Sequence, residues 1–461
     1  MEVLQRCCAG IDVHSQMLRT CIRRLDEQGQ VHKEFRDFGT MTCELRKLAA
    51  WLQEHGVRQV AMESTGVYWK PVYNILEEQF EVLLCNARHV KNVPGRKTDT
   101  TDSEWLAQLL QYGLLRASFV PPRAQRELRD LTRTRASLED DKARVANRIH
   151  KVLEDANIKL ACVASDILGV SGRAMLQALI GGAQEPAQLA GLARGRLKQK
   201  RGELTLALEG HVTEHHRFML RLLLEQLRAL EGLIARLDAQ IDELVAGPAL
   251  SPAPEESARA PAEAVPAVPR PQAGGGPAQV APAPHSLESV EKLPLPFVAA
   301  MALLVEMWGV DRVSAQNILA EIGTDMRRFP SDQHLAAWAG LCPGNNESAG
   351  KRKSGTTRKG SRWLRRALVQ AAWGATHAKQ SYARARYRRL ARRRGKQRAI
   401  IAVAHSMLRA IYQILKDHRH YQDLGPEHWD NQHRQRSQRS LVKRLEAMGY
   451  AVTLTPVRAA S

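Results

Sequence analysis

The chain has 461 residues, 44% of them hydrophobic, and carries a formal net charge of +20 with a pI near 10. That length can bury more than one core and predicts two to three domains, while the basic balance favours a nucleic-acid partner over a solely acidic or membrane one. The N-terminus lacks a signal peptide's apolar run, and the longest apolar stretch, Phe297 to Leu304, is too short to span a bilayer. The seven cysteines show no paired ligand spacing and read as reduced, cytosolic thiols with no zinc site.

Residues 7 to 38 alternate apolar and polar in three runs, Ala9 to Val13, Leu18 to Ile22 and Val31 to Phe38. Asp26-Glu-Gln-Gly29 supplies a turn between the second and third, so the pattern predicts an antiparallel meander. A helix over 43–54 follows, with Leu45, Leu48, Ala49 and Leu52 on one face. Next come a strand over 57–62, a helix over 68–79, a strand over 81–85 and a helix over 102–115. A meander followed by alternating helices and strands predicts an α/β domain over residues 1–120.

Residues 121–245 form a helical, coiled-coil region. Leu128, Leu131, Leu138, Val145, Ile149 and Val152 recur at near-heptad spacing. Leu223, Leu227, Leu230, Ile234, Leu237, Ile241 and Leu244 then alternate by four and three. The seam predicts helix pairing, either with the first helix or with another protomer as a dimer or tetramer. Residues 246–286 hold 10 of the 21 prolines and a glycine triplet at 274–276. They read as a linker with a reach of roughly 35 Å, which frees the domain after it from one fixed place.

Residues 287–422 predict a mostly α-helical C-terminal domain. Leu303 to Glu321 reads as two helices broken at Trp308-Gly309-Val310-Asp311, resembling a helix-hairpin-helix element. The usual hairpin has a second glycine where this chain has Asp311, so phosphate binding and plain packing both stand open. Residues 423–461 form a tail with no readable signal.

Between Lys351 and Arg398 stand 18 Lys or Arg residues and no Asp or Glu; the other 413 residues sum to about +2. A block so one-sided repels itself unless a polyanion neutralises it. Trp363, Leu364, Ala367, Leu368, Ala371, Ala372 and Ala375 recur at helical spacing, so its first half reads as folded rather than as a disordered basic tail. Lys351, Arg352, Lys353, Arg358, Lys359, Arg362, Arg365 and Arg366 are the candidate nucleic-acid contacts.

Three N-terminal motifs carry acids. Asp12 sits within the first strand, Glu63 ends the fourth, and Asp99 and Asp102 lie three apart at a helix start. An unpaired acid in a half-buried strand is costly and poorly explained by fold alone. For the helix-start pair a structural role competes, because Thr101 with Glu104 fits a capping box. Four converging carboxylates would suit two hard divalent cations.

In a meander-first α/β domain, Gly10-Ile-Asp-Val-His14, Met62-Glu-Ser-Thr-Gly66 and Lys97-Thr-Asp-x-x-Asp102 resemble the RuvC-like (RNase H-like) DEDD domain of bacterial insertion-sequence transposases. The nearest group is the insertion-sequence 110/1111 family, which includes the Piv-type invertases. Leu335-Ala-Ala-Trp-Ala-Gly-Leu-Cys-Pro343, Ser348-Ala-Gly-Lys351 and Arg358-Lys-Gly-Ser-Arg-Trp-Leu-Arg365 extend the resemblance through the C-terminal half. The resemblance implies a DNA recombinase whose Asp12, Glu63, Asp99 and Asp102 hold Mg²⁺, two ions with Mn²⁺ as a substitute. It implies Ser348 as a DNA-linking nucleophile. It further implies double-stranded DNA partners (element ends and target), a structured guide or bridge RNA, and a bacterial, nucleoid-associated location. From local chemistry alone Ser348 is a loop serine, and Ser354 and Ser361 are equal candidates. A RuvC-like Holliday-junction endonuclease that uses water, and a non-catalytic nucleic-acid-binding protein, are the alternative readings.

Overall fold

A computed structural model describes residues 3–87, 90, 93, 101–250, 292–343, 346–348, 351–354, 356–357 and 359–454. The chain divides into two compact units, Met1–Pro121 and Pro122–Ser461.

The first unit is a five-stranded mixed sheet. β1 (Cys7–Val13), β2 (Met17–Leu25) and β3 (Val31–Gly39) form the antiparallel meander. Asp26 makes its turn by accepting the backbone N–H groups of Gln28 and Gln30 on Oδ1. β4 (Gln59–Glu63) and β5 (Glu81–Cys85) add in parallel on the other side of β1, giving the order β3-β2-β1-β4-β5. Period-two alternation divides the side chains between two faces. Ile11, Val13, Val60 and Met62 pack with α1 (Thr42–Glu54) and α2 (Trp69–Leu76). Cys8, Ala61 and Cys85 pack with Trp105, Leu106, Leu109 and Leu110 of α3 (Asp102–Gln111).

The second unit is almost entirely helical. Its spine is an antiparallel pair, α4 (Arg123–Asp155) and, further along the chain, Glu214–Ala246. Between them lie α5 (Leu160–Val163), α6 (Val170–Ile180), α7 (Pro186–Gly191) and α8 (Arg201–Ala207), which makes the second long helix α9. Ion pairs Arg135–Asp238 and Lys142–Glu231 and the His216–Asp155 hydrogen bond fix the register of the pair. The leucine seam of α9 therefore packs on the chain's own first long helix, with Leu223 and Leu227 against Val145, Ile149 and Leu153. Of the two partners that the spacing left open, this is the chain's own first long helix.

Beyond residue 292 follow α10 (Phe297–Val305), α11 (Arg312–Ile322), α12 (Asp332–Trp338), β6 (Asn346–Ser348), β7 (Lys351–Ser354), α13 (Arg362–His377), α14 (Tyr382–Arg394), α15 (Lys396–Asp417) and α16 (Gly425–Glu446). Leu128, Ile241 and Val245 of the long helices share one apolar core with Phe297, Leu319, Leu368 and Leu408. Helices on both sides of the Pro-rich stretch are thus one body, contrary to the expectation of a freely placed C-terminal domain; the stretch itself, 251–291, lies outside the described residues. α15 is long and apolar enough to cross a membrane, but its Val403, Ala404, Leu408 and Ile411 are buried in that core. In the tail, which carries no readable sequence signal, α16 forms and lies along α14.

A polar network joins spine and core. Glu321, 2% exposed, takes a two-point contact from Arg133 (2.7 and 2.9 Å) and a hydrogen bond from Ser361 Oγ (3.0 Å). Arg129 donates to the carbonyls of Ala320 and Glu321. Arg135, 3% exposed, donates to Asp238, Gln316 and Asn317. Buried charges survive only when satisfied in this way.

Candidate active site

Parallel pairing of β1 with β4 aligns Ile11 with Met62, so the next residues, Asp12 and Glu63, stand side by side where the two strands end. Alternation puts both on the face shared by Cys8 and Ala61, which α3 covers. Gly10 makes that cover possible: a Cβ there would lie 2.2 Å from the Ser103 carbonyl oxygen and 2.5 Å from the Ala107 nitrogen. Backbone therefore rests on backbone, and Asp102, the first residue of α3, begins over the strand that carries Asp12.

The turn before α3 is half of the expected capping box. Thr101 Oγ1 accepts the Glu104 N–H at 3.4 Å, but the Glu104 carboxylate turns to Lys33 (2.6 Å) and Arg23 (3.5 Å) on the neighbouring strands. Asp102 is exposed in the first turn of α3. Asp12 Oδ2 lies 3.1 Å from Nε2 of His14. Asp99 lies outside the described residues. Among the described residues no three Asp, Glu, His or Cys side chains stand close enough together to hold a metal ion. Backbone register and the helix start thus bring Asp12, Glu63 and Asp102 to one end of the sheet, without drawing their carboxylates together.

The donor set fits a hard cation. Cys85 pairs with Glu63 across β4 and β5, and burial, with the Glu63 charge beside it, pushes its thiol up to about 12. It remains a neutral thiol at physiological pH, so this end of the sheet offers carboxylate oxygens and no thiolate. Such a set suits Mg²⁺ or Mn²⁺ rather than zinc.

Ser348, read from sequence as a loop serine, ends β6 and pairs with Lys351, the first residue of β7. The two short strands pair antiparallel, and a bridge between Pro343 and Thr357 flanks them. The side chains of Ser348, Lys351, Arg352 and Lys353, and all of Arg358, lie outside the described residues. Ser361 is withdrawn as an alternative nucleophile, because its hydroxyl caps α13 by accepting the Leu364 N–H and donates to Glu321.

The remaining basic candidates differ. Lys359 and Arg362 are exposed, and the Arg362 guanidinium sits 4.5 Å over the Trp363 ring. Arg365 donates to Thr357 Oγ1 at 3.1 Å. Arg366 is held by the Ala136 carbonyl and Asp140 on α4, so it ties α13 to the spine. Further exposed cations of the block include Arg388, Arg389, Arg392, Arg393 and Arg394 of α14. Their signal is the acid-free stretch itself, of which the candidate contacts cover only the first sixteen residues.

The helix-hairpin-helix-like turn is structural at its glycine. Gly309 has φ +79°, and its Cα lies 2.9 Å from where a Cβ on Gly374 would be. The hairpin backbone is pressed onto α13, and Asp311 caps α11 by accepting the Ser314 N–H at 2.7 Å.

Two family models match the chain. One, for DEDD transposases of the IS110 type, covers residues 9–158; the other, described as Transposase IS116/IS110/IS902 family, covers residues 301–388. An α/β unit with acids at one sheet end and a helical unit with a basic block thus belong to a transposase, an enzyme that cuts and rejoins DNA. The matches together span just over half of the sequence, and the chain belongs to the IS110 family of transposases. No curated protein matches it.

Proposed function

We propose that this transposase is a site-specific recombinase with a RuvC-like acidic site and a serine nucleophile, directed to its DNA by a structured bridge RNA. The alignment of Asp12 with Glu63 on the face where α3 begins at Asp102 carries the reading. Asp12, Glu63 and Asp102, with Asp99, would hold two Mg²⁺ ions, or Mn²⁺ in their place. When bound, such a pair supplies Lewis-acid stabilisation to the attacking and leaving oxygens of a phosphodiester exchange.

The chain's own groups divide the rest of the work. Ser348 Oγ forms a bond to phosphorus as the phosphodiester to one strand end breaks, leaving that end with a free hydroxyl. Rejoining reverses the exchange, with a strand hydroxyl displacing the serine. A hydroxyl is a weak nucleophile and needs its proton taken and the phosphate charge held. Lys351 to Lys353, on the paired strand β7, are the cations nearest in sequence for that charge. The exposed cations of the acid-free block hold the DNA backbone.

The test is trapping of a covalent protein–DNA adduct on supercoiled substrate with Mg²⁺. The wild type and Ser348→Cys are compared with Ser348→Ala, which should give neither adduct nor joined product. An adduct formed by Ser348→Ala would remove the nucleophile assignment, and Mg²⁺-dependent cutting without any adduct would favour the water-using endonuclease.

A further inference from the structure

Trp308 is 53% exposed, yet it is not loosely held. The next residue, Gly309, is locked against α13 at Gly374, so the hairpin holds the indole outward from a fixed backbone. A large ring kept in water by a rigid turn forgoes a substantial hydrophobic gain, unless something covers it in use. Trp308 lines a cavity of about 340 Å³ formed with α13, α14, α15 and the segment before α16. Tyr382, Tyr421 and Met407 line it, with Arg386 and Arg409 as its cations.

The walls are fixed by polar ties. Arg386 donates to the Tyr382 hydroxyl at 3.1 Å, and the Tyr382 backbone N–H donates to Asp423. The Tyr421 hydroxyl donates to Asp423 at 3.0 Å, and burial holds that phenol in its protonated form. The acids are already engaged, Asp332 with Arg409 and Asp423 with the two tyrosines. An incoming group therefore meets aromatic surface and the Arg386 guanidinium, Arg409 being held by Asp332. From the cavity, Arg386, Arg389 and Arg393 continue along one face of α14 at spacings of three and four, with Arg389 and Arg393 exposed.

From this we infer that the cavity takes one unpaired base of single-stranded DNA, stacked on Trp308 between the tyrosine walls, while the strand's phosphates follow the arginines of α14. Stacking platforms beside a basic track are the general solution for holding unpaired strands, because every base has a π-face. The size suits a single base with its sugar rather than a base pair. A site for unpaired DNA is what strand exchange requires wherever a duplex opens. The choice of DNA rests on the recombinase reading given above; the geometry of the pocket does not.

The test is fluorescence anisotropy with labelled 20-nucleotide single-stranded DNA, its duplex, an abasic single strand and the matching RNA, all without divalent ions. Trp308→Ala should weaken single-stranded DNA about tenfold and duplex less than twofold. Trp308→Phe, which keeps a ring, should stay within threefold of the wild type. On the wild type the abasic strand should bind about tenfold more weakly than the intact one, and Trp308→Ala should weaken it no further. Arg393→Ala should weaken all ligands and lower the salt slope by about one. Wild-type affinity in Trp308→Ala, or indifference to the abasic site, would overturn the inference. A Trp308→Ala loss seen with RNA but not with DNA would overturn its choice of polymer. Because this assay contains no metal and reads binding alone, failure of the catalytic reading would appear in the adduct trap and not here.

Discussion

Gly10 and Gly309 perform the same packing operation in the two units, to opposite ends. At Gly10 the absent side chain lets the first turn of α3 rest on β1 and brings Asp102 over the end of the strand that carries Asp12. At Gly309 it lets a hairpin rest on α13 and holds Trp308 away from the core. The N-terminal unit gathers anionic groups at the end of a sheet; the helical unit spreads cations and rings along helices. A glycine that allows backbone contact therefore marks a positioned element, and what it positions has to be read from its neighbours.

Removing a gathered acid should have the largest effect. Asp12→Asn should lower Mg²⁺-dependent strand joining by about a thousandfold, corresponding to several kcal/mol of lost charge stabilisation, with folding unchanged by circular dichroism. Retained activity would end the comparison, since the N-terminal unit would then gather acids for no catalytic purpose. Next comes Glu321, whose loss strands Arg133 and frees Ser361. Glu321→Ala should cost the helical unit about 3 kcal/mol, because removing one partner leaves a charge unpaired in a largely buried network. Hydrogen exchange should locate that loss in α11 and the start of α13, leaving β1 and β4 protected.

The glycines themselves come third. Gly10→Ala and Gly309→Ala should each destabilise by about 2 kcal/mol, as backbone must shift to admit a methyl. Gly309→Ala carries the added strain of φ +79°. Their consequences should separate: Gly10→Ala lowers strand joining and spares single-strand binding, whereas Gly309→Ala weakens single-strand binding and lowers strand joining through it. Equal effects of both on both assays would erase the distinction between the two units.

The legible parts of the sequence were those with a local period. Three strands, the Asp26 turn and both long helices follow from spacings of two, three and four. Convergence of Asp12 and Glu63 depends on parallel pairing of strands some fifty residues apart, which no window of sequence contains, so only the family motifs carried it. The seam of α9 was plain, but a leucine ladder looks alike to its own chain and to a second copy; charge pairs such as Arg135 with Asp238 decide it. Ser348 read as loop because strands of three and four residues fall below any period. α16 was invisible for the opposite reason, since a helix without an apolar face has no pattern to find.

The spine offers finer contrasts. Arg173 binds Glu231 through both carboxylate oxygens, and that hydrogen bonding, with the positive charge beside it, holds Glu231 below the usual carboxylate range. A depressed folded value means that the stabilisation is fully present above the unfolded pKa of about 4.3 and is lost as pH falls through the folded value. The helical unit should therefore weaken in acid, and Glu231→Gln should flatten that part of a urea-denaturation pH profile by less than about 1 kcal/mol, the two groups being partly exposed.

Gly232 is the smallest case and reverses the sign. It lies within α9, is exposed, and a Cβ there would meet nothing within 4 Å. It has neither the close backbone of Gly10 nor the left-handed φ of Gly309, so its only effect is the conformational freedom it gives the unfolded chain. Gly232→Ala should therefore stabilise the helical unit by roughly 0.5 to 1 kcal/mol in urea denaturation, with strand joining and single-strand binding unchanged. A loss at Gly232 comparable to that at Gly10 would mean that the outer face of α9 meets a partner in the working assembly. The seam of α9 faces α4, so that contact would have to use the opposite side of the helix, where Phe218 and Leu222 are also exposed.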